Sequence, residues 1–194
     1  KSVMSHNADH ERSHLMRSLT LVAVLVASSI ASAQIYPVHS RTGSASAVCV
    51  ANSPTRSLFL TNKHVVRNAQ TIQVSDGTQW VTSQAITRDS KHDLASFVVL
   101  GTQFRVAKLL THVPHGEEVS VCGYSPERKK FCFTGRWYGR TIQAPQHVLP
   151  GDSGGAVMVK HCAKSYCAGI HEGFGLEDRR TYLVTAEQCR LHLT

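Results

Sequence analysis

The sequence predicts an all-β fold, and three features point to it. Short apolar runs of three to seven residues recur after residue 46, each bounded by turn-forming residues. Asp76-Gly77 lies between two such runs, a pairing typical of a hairpin turn. No segment beyond residue 33 sustains the apolar period of a long helix. Many short strands at regular spacing argue a barrel or a sandwich, and the residues alone leave that choice open.

The elements follow in order. Residues 47–51 and 58–61 are apolar runs separated by the turn cluster Asn52-Ser53-Pro54. Residues 71–74 and 80–86 flank Asp76-Gly77, and residues 94–100 form an apolar run broken only by Ser96. Runs 119–123 and 131–137 surround the basic loop Arg128-Lys129-Lys130. Runs 156–159, 168–170 and 182–184 complete the series. Residues 185–193 are expected to form a short C-terminal helix, capped by Thr185 with Gln188 three positions on.

The amino-terminal part has the layout of an address. Residues 19–30 are mostly apolar, Arg17 precedes them, and the small-residue pattern Ala31-Ser32-Ala33 follows. Residues 16–33 therefore read as a signal peptide cleaved after Ala33, giving a secreted or periplasmic protein. The apolar run is short of the roughly 20 residues a membrane span needs, so membrane association is expected only if the signal stays uncleaved. Residues 1–15 read as an upstream or disordered segment. His6, His10 and His14 would share one helix face, but the segment is polar and terminal, and no metal is assigned to it. The expected domain is residues 34–194.

Composition narrows the class. The 194 residues are 42% hydrophobic and 18% charged, which excludes a wholly disordered or fibrous chain. A net charge of +8 makes the surface basic without selecting a partner. Cys49, Cys122, Cys132, Cys162, Cys167 and Cys189 all follow the signal, an even set that reads as disulfides in an exported chain. Cys122 and Cys132 lie in two strands joined by a charged loop, and Cys162 and Cys167 flank a short turn. Cys49 and Cys189 remain by elimination. His161, Cys162, Cys167 and His171 have spacings that suit zinc, but an oxidising setting favours the disulfide. No metal and no cofactor are expected.

The chemistry lies in three motifs. Gly151-Asp152-Ser153-Gly154-Gly155 puts a hydroxyl on a tight turn whose backbone N–H groups can gather around an oxyanion. A serine hydroxyl needs a base, and Thr61-Asn62-Lys63-His64-Val65-Val66 supplies a histidine at the end of an apolar strand. The base needs an orienting carboxylate, and His92-Asp93-Leu94-Ala95 supplies it. The chain order His64, Asp93, Ser153 is that of a chymotrypsin-type triad.

On these motifs the chain resembles chymotrypsin-fold (trypsin-like) serine proteases. Residues 61–66, the Asp76-Gly77 hairpin and residues 92–95 resemble the high-temperature-requirement proteases. Residues 60–66 also resemble glutamyl endopeptidases. The resemblance implies two six-stranded antiparallel β-barrels, with their boundary near residues 105–118 and the site in the cleft between them. It implies His64 as general base, Asp93 as its orienter and Ser153 as nucleophile. The N–H groups of Gly151 and Ser153 would form the oxyanion hole. The run Gly169-Ile170-His171-Glu172-Gly173 is similar to one in glutamyl endopeptidases and picornavirus-type cysteine proteases, where the histidine lines the pocket for the residue before the cut. That implies a pocket of His171, Gly169 and Gly173 and a preference for Glu or Gln, since histidine can donate to either side chain. Those families place a Thr or Ser hydroxyl where this chain has Val148, and the adjacent His147 would substitute as donor. His147 also replaces the Asp of a trypsin-type pocket. Asp152 is present, but no Ile-Val-Gly-Gly start accompanies it, so a pancreatic-type zymogen switch is not expected.

The expected function is thus a secreted serine endopeptidase acting on peptides or proteins. Two alternatives accompany it. One is a viral polyprotein-processing protease tethered by its hydrophobic segment. The other is a non-cleaving protease-fold binding protein using the basic residues Arg128, Lys129, Lys130, Arg136, Arg140, Arg179 and Arg180. All triad residues are present, which favours an enzyme, and a basic cluster is more often a solvated face than a nucleic-acid site, so no nucleic-acid partner is expected.

Overall fold

A computed structural model describes residues 34–41, 43–101, 104–126, 129–144, 149, 151–175 and 177–194. The segments read as signal peptide and upstream stretch lie outside the described residues, as do His147 and Val148.

The first half contains β1 (Ile35–Ser40), β2 (Gly43–Ser53), β3 (Arg56–Thr61), β4 (Gln73–Ser75), β5 (Trp80–Thr82), β6 (Ala85–Arg88) and β7 (Ala95–Leu100). These form one antiparallel sheet in the order β5-β4-β1-β2-β3-β7-β6. The second half contains β8 (Glu118–Ser125), β9 (Lys129–Tyr138), β10 (Thr141–Gln143), β11 (Ala156–His161), β12 (Lys164–Phe174) and β13 (Thr181–Thr185). These close into a barrel in the order β10-β13-β12-β11-β8-β9. Helix α1 (Ala186–His192) ends the chain with the expected capping box between Thr185 and Gln188. Among the described residues no helix is long and apolar enough to cross a membrane.

The all-β, two-barrel type of fold is present, but the first barrel differs from the six closed strands expected: it is a seven-stranded sheet curled into a half-barrel. The apolar run 80–86 is two strands, β5 and β6, at opposite edges of the sheet. The Ser83 N–H bonds the Ile72 carbonyl at 2.8 Å and the Gln84 N–H bonds the Val98 carbonyl at 2.8 Å, so the chain changes partner between adjacent residues. One bent stretch therefore serves both edges of a curled sheet. β1 and β10 were not legible as apolar runs. β1 contains Pro37, which the sheet tolerates because β4 pairs with β1 only at Val38 and His39. β10 is three residues long, with only Ile142 fully buried.

Three apolar clusters hold the molecule together. One fills the first barrel around Phe59, which stacks on Phe97 with ring centroids 5.0 Å apart. A second fills the closed barrel around Val121, Ile142 and Leu183. The third joins Ile35, Val48, Leu60 and Leu94 of the first half to Ala156, Met158, Ile170 and Val184 of the second. Leu94 adjoins Asp93 and Ile170 adjoins His171, so this cluster anchors site residues from both halves.

Cys122 and Cys132 face each other across β8 and β9 and are disulfide-bonded, as expected. The other pairings suggested by the sequence are not formed. Cys162 and Ala163 make the hairpin tip with positive φ, whereas Cys167 lies opposite Met158 further down the ladder. That register separates Cys162, which is exposed, from Cys167, which is buried. Cys49 belongs to the first-barrel cluster and Cys189 to the cluster between the halves, so elimination paired residues that do not meet.

Candidate active site

β3 and β7 are antiparallel neighbours that pair Thr61 with Ala95, so the residues just beyond these strand ends meet. After Thr61 the chain makes one 3-10 turn, His64–Val66, burying Val65 and Val66 and leaving the His64 side chain 48% exposed. Asp93 Oδ2 lies 2.5 Å from His64 Nδ1, and Asp93 Oδ1 accepts the His64 backbone N–H at 2.9 Å. A carboxylate only accepts, so Nδ1 carries the proton and Nε2 is left as the basic nitrogen. Burial pushes the Asp93 carboxyl up, but the ring and backbone hydrogen bonds from His64 outweigh it and hold Asp93 below its usual range.

Ser153 comes from a turn wedged against both halves. The Asp152 N–H bonds the Leu149 carbonyl at 3.1 Å, and the Leu149 N–H donates to Asp152 Oδ2 at 2.9 Å. The Ser46 N–H of β2 reaches the Ser153 carbonyl at 2.9 Å, tying the turn to the first barrel. The Gly154 N–H donates to the His171 carbonyl at 3.0 Å, and the His171 N–H donates to the Gly155 carbonyl at 2.8 Å, tying the turn to β12. Gly151 and Gly154 have φ of +91° and +80°, which glycine adopts readily. Among the described residues the Gly151 and Ser153 N–H groups take no hydrogen-bond partner. Ser153 Oγ donates to the Glu172 carbonyl at 3.4 Å, and no hydrogen bond joins it to His64. The structure thus brings His64 and Asp93 into direct contact and leaves the bond between the candidate nucleophile and candidate base unmade, as is common before substrate tightens a site.

His171 is fully buried. Its Nδ1 faces the Asp152 carbonyl at 3.1 Å and so carries the proton. Burial pushes its pKa down, against the backbone at Asp152 and Gly173, so the ring is neutral. Nε2 is then a lone-pair acceptor, and it has no hydrogen-bond partner among the described residues. Gly169 packs against Val184 and Leu183 of β13, while Gly173 has open space where a side chain would sit.

Residues 45–161 match the model of the trypsin-like peptidase domain. This chain belongs to that family. It is a serine endopeptidase. Solved structures agree on the fold. The active form of the Rv3671c protease from M. tuberculosis aligns with a TM-score of 0.70 at 19% identity, over 84% of this chain and 80% of that one. The serine endoprotease from Yersinia pestis aligns at 0.69 and 19%, over 84% and 62%. The HtrA-type protease AlgW, solved with a tripeptide, aligns at 0.70 and 18%, over 84% and 60%. The peptidase thus spans less than two thirds of the last two chains. Likeness at this identity speaks to the fold alone. No curated protein matches closely enough to add to these.

Two parts of the peptidase's site were not legible beforehand. Asn62 is fully buried; its Nδ2 donates to the Asp93 carbonyl at 3.0 Å and its Oδ1 accepts the Gly154 N–H at 2.6 Å. One amide therefore spans the carboxylate loop and the nucleophile turn. The residue stood inside the histidine motif, and its polarity at a strand end was the available signal. Asn62→Ala is expected to lower kcat/KM by about 10²-fold through misplacement. It should cost about 1–3 kcal/mol of stability, read by steady-state kinetics and urea unfolding.

The second part is a brace on the Asp93 loop. Asp89 Oδ1 lies 3.1 Å from His92 Nδ1, and Asp89 Oδ2 lies 3.3 Å from Nδ1 of His192 on α1. The Asp89 N–H closes the loop on the Leu94 carbonyl at 2.8 Å. Burial raises the Asp89 pKa, but the N–H groups of His92 and Lys91 and the two imidazoles outweigh it and set it at about 2. A depressed carboxylate stabilises the fold above its unfolded value of about 3.9. That contribution is lost as pH falls from about 4 toward about 2. Parent and Asp89→Asn proteins should therefore differ in urea midpoint at pH 5 and converge near pH 2.

Proposed function

We propose that the peptidase cleaves through an acyl-enzyme on Ser153. His64 takes the hydroxyl proton and Asp93 orients and stabilises the resulting imidazolium. The N–H groups of Gly151 and Ser153 bind the developing oxyanion. The observation that carries this reading is the two-point contact of Asp93 with His64, which leaves Nε2 as the base, together with two candidate oxyanion donors that have no partner among the described residues. β12 beyond His171 has β13 on one side, and a substrate strand added along its other edge would lie over Ser153.

The pocket reading places Gln or Glu before the cut, against His171. A neutral ring with a spare Nε2 lone pair favours Gln, whose amide N–H can donate; a Glu carboxylate would need a protonated ring. The working compartment is proposed to be outside the cytoplasm, after cleavage near Ala33. The cross-strand disulfide supports that setting.

The test is a mixed peptide library incubated with parent and Ser153→Ala proteins, with every cut read by mass spectrometry. Cuts after Gln, fewer after Glu, and none with the variant are expected. Cuts after other residues would discard the pocket reading and keep the serine mechanism. Cuts surviving in the variant would discard the mechanism.

A further inference from the structure

β12 carries a bulge beside the nucleophile. Its register with β13 passes from His171 opposite Leu183 to Gly173 opposite Tyr182, leaving Glu172 as the extra residue. A bulge re-aims the side chain it carries, and bulges concentrate next to active sites. The backbone of this residue is already in the site, since its carbonyl accepts the Ser153 hydroxyl at 3.4 Å.

The Glu172 side chain is partly buried and lies within electrostatic reach of Asp93, His64, His92 and Arg140. Burial and the Asp93 charge both push its carboxyl upward, while Arg140 and the two histidines oppose this. The other carboxylates nearby are engaged: Asp93 by His64, Asp89 by His92 and His192. Among the described residues the Glu172 carboxylate makes no hydrogen bond and no ion pair. In a chain of net charge +8, the residue whose carbonyl meets the Ser153 hydroxyl thus carries a carboxylate with no partner among the described residues.

We propose that Glu172 determines specificity: its carboxylate reads a Lys or Arg side chain on the substrate residue preceding the one at the scissile bond. This rests on the serine-peptidase reading of Ser153. Side chains alternate along an extended substrate. The scissile residue points toward His171, and the residue before it points to the other side, over His64 and Glu172. Substrate also covers the cleft and dries the carboxylate. A basic side chain offsets that desolvation, and an acidic one adds repulsion to it.

The test separates this inference from the reading beneath it. A fluorophosphonate without peptide is first used to label wild-type protein, which reports on Ser153 independently of specificity. Peptides identical except for Lys, Ala or Glu at the penultimate position on the acyl side are then compared with wild type, Glu172→Gln and Glu172→Lys. The readout is the Lys-to-Glu ratio of kcat/KM within each enzyme, so a general loss of rate cancels. Wild type is expected to favour Lys by about tenfold or more. Glu172→Gln should lose most of that preference and Glu172→Lys should reverse it. If the lysine variant does not fold, the near-isosteric glutamine variant decides alone. The inference is overturned if unlabelled wild type, from a preparation whose separate aliquot takes the label, and Glu172→Gln rank the peptides alike. Absence of labelling on folded wild type removes the serine reading and this inference with it.

Discussion

Ser153→Ala is expected to reduce peptide hydrolysis by roughly a millionfold while leaving the fold unchanged. The size follows from the division of labour around the turn. In the proposed mechanism the hydroxyl is the atom that bonds the substrate carbonyl, and His64 and Asp93 act only through it. Losses within such a unit do not add, so His64→Ala and the double variant should fall to a similar floor. The remaining rate over water would come from binding and the Gly151 and Ser153 N–H groups, which the alanine variant keeps. Among the described residues the hydroxyl makes one hydrogen bond, a 3.4 Å contact to the Glu172 carbonyl, so its removal is expected to cost little stability. Progress curves over several hours, with thermal unfolding as a control for folding, make the comparison.

Gly154→Ala is expected to damage stability and activity together. The residue has φ of +80°, and an added Cβ would overlap the Ser46 carbonyl oxygen and crowd Thr61 Oγ1. Neither neighbour can swing away. The Ser46 carbonyl accepts the Thr61 hydroxyl at 2.8 Å, and the Ser46 N–H holds the Ser153 carbonyl at 2.9 Å. The left-handed conformation alone costs an alanine about 1–2 kcal/mol. Overlap with fixed backbone takes the total to about 4 kcal/mol or more, a fall in Tm of roughly 10 °C. Relief of the overlap would move the turn off β2 and displace the nucleophile. Gly173→Ala is the internal contrast, since an added Cβ there meets nothing within 4 Å and should leave Tm unchanged. Calorimetry on the two variants separates a close-packed glycine from an open one.

The elements readable in the sequence are those that local chemistry dictates. Asp76-Gly77 makes its hairpin because Asp76 Oδ1 accepts the N–H groups of Thr78 and Gln79, a contact within four residues. Thr185 and Gln188 cap α1 for the same reason. The histidine and aspartate motifs were legible because each stands just outside an apolar strand, and strand pairing then brings them together. What stayed hidden depends on partners far along the chain. Pro37 obscured β1, whose place is set by β2 and β4. The run 80–86 read as one strand because its change of partner at Ser83 involves Ile72 and Val98. Cysteine pairing failed where hairpin register, absent from residue counting, sends Cys162 to the tip and Cys167 to the core. Asn62 and Glu172 gain their roles only when the halves close on each other.

The most direct measurement is labelling of the purified protein with a fluorophosphonate, followed by peptide mapping. The account predicts one adduct, on Ser153, whose rate of formation falls by orders of magnitude in His64→Ala. Folded protein that forms no adduct, carries it on another residue, or labels equally fast without His64 would contradict it.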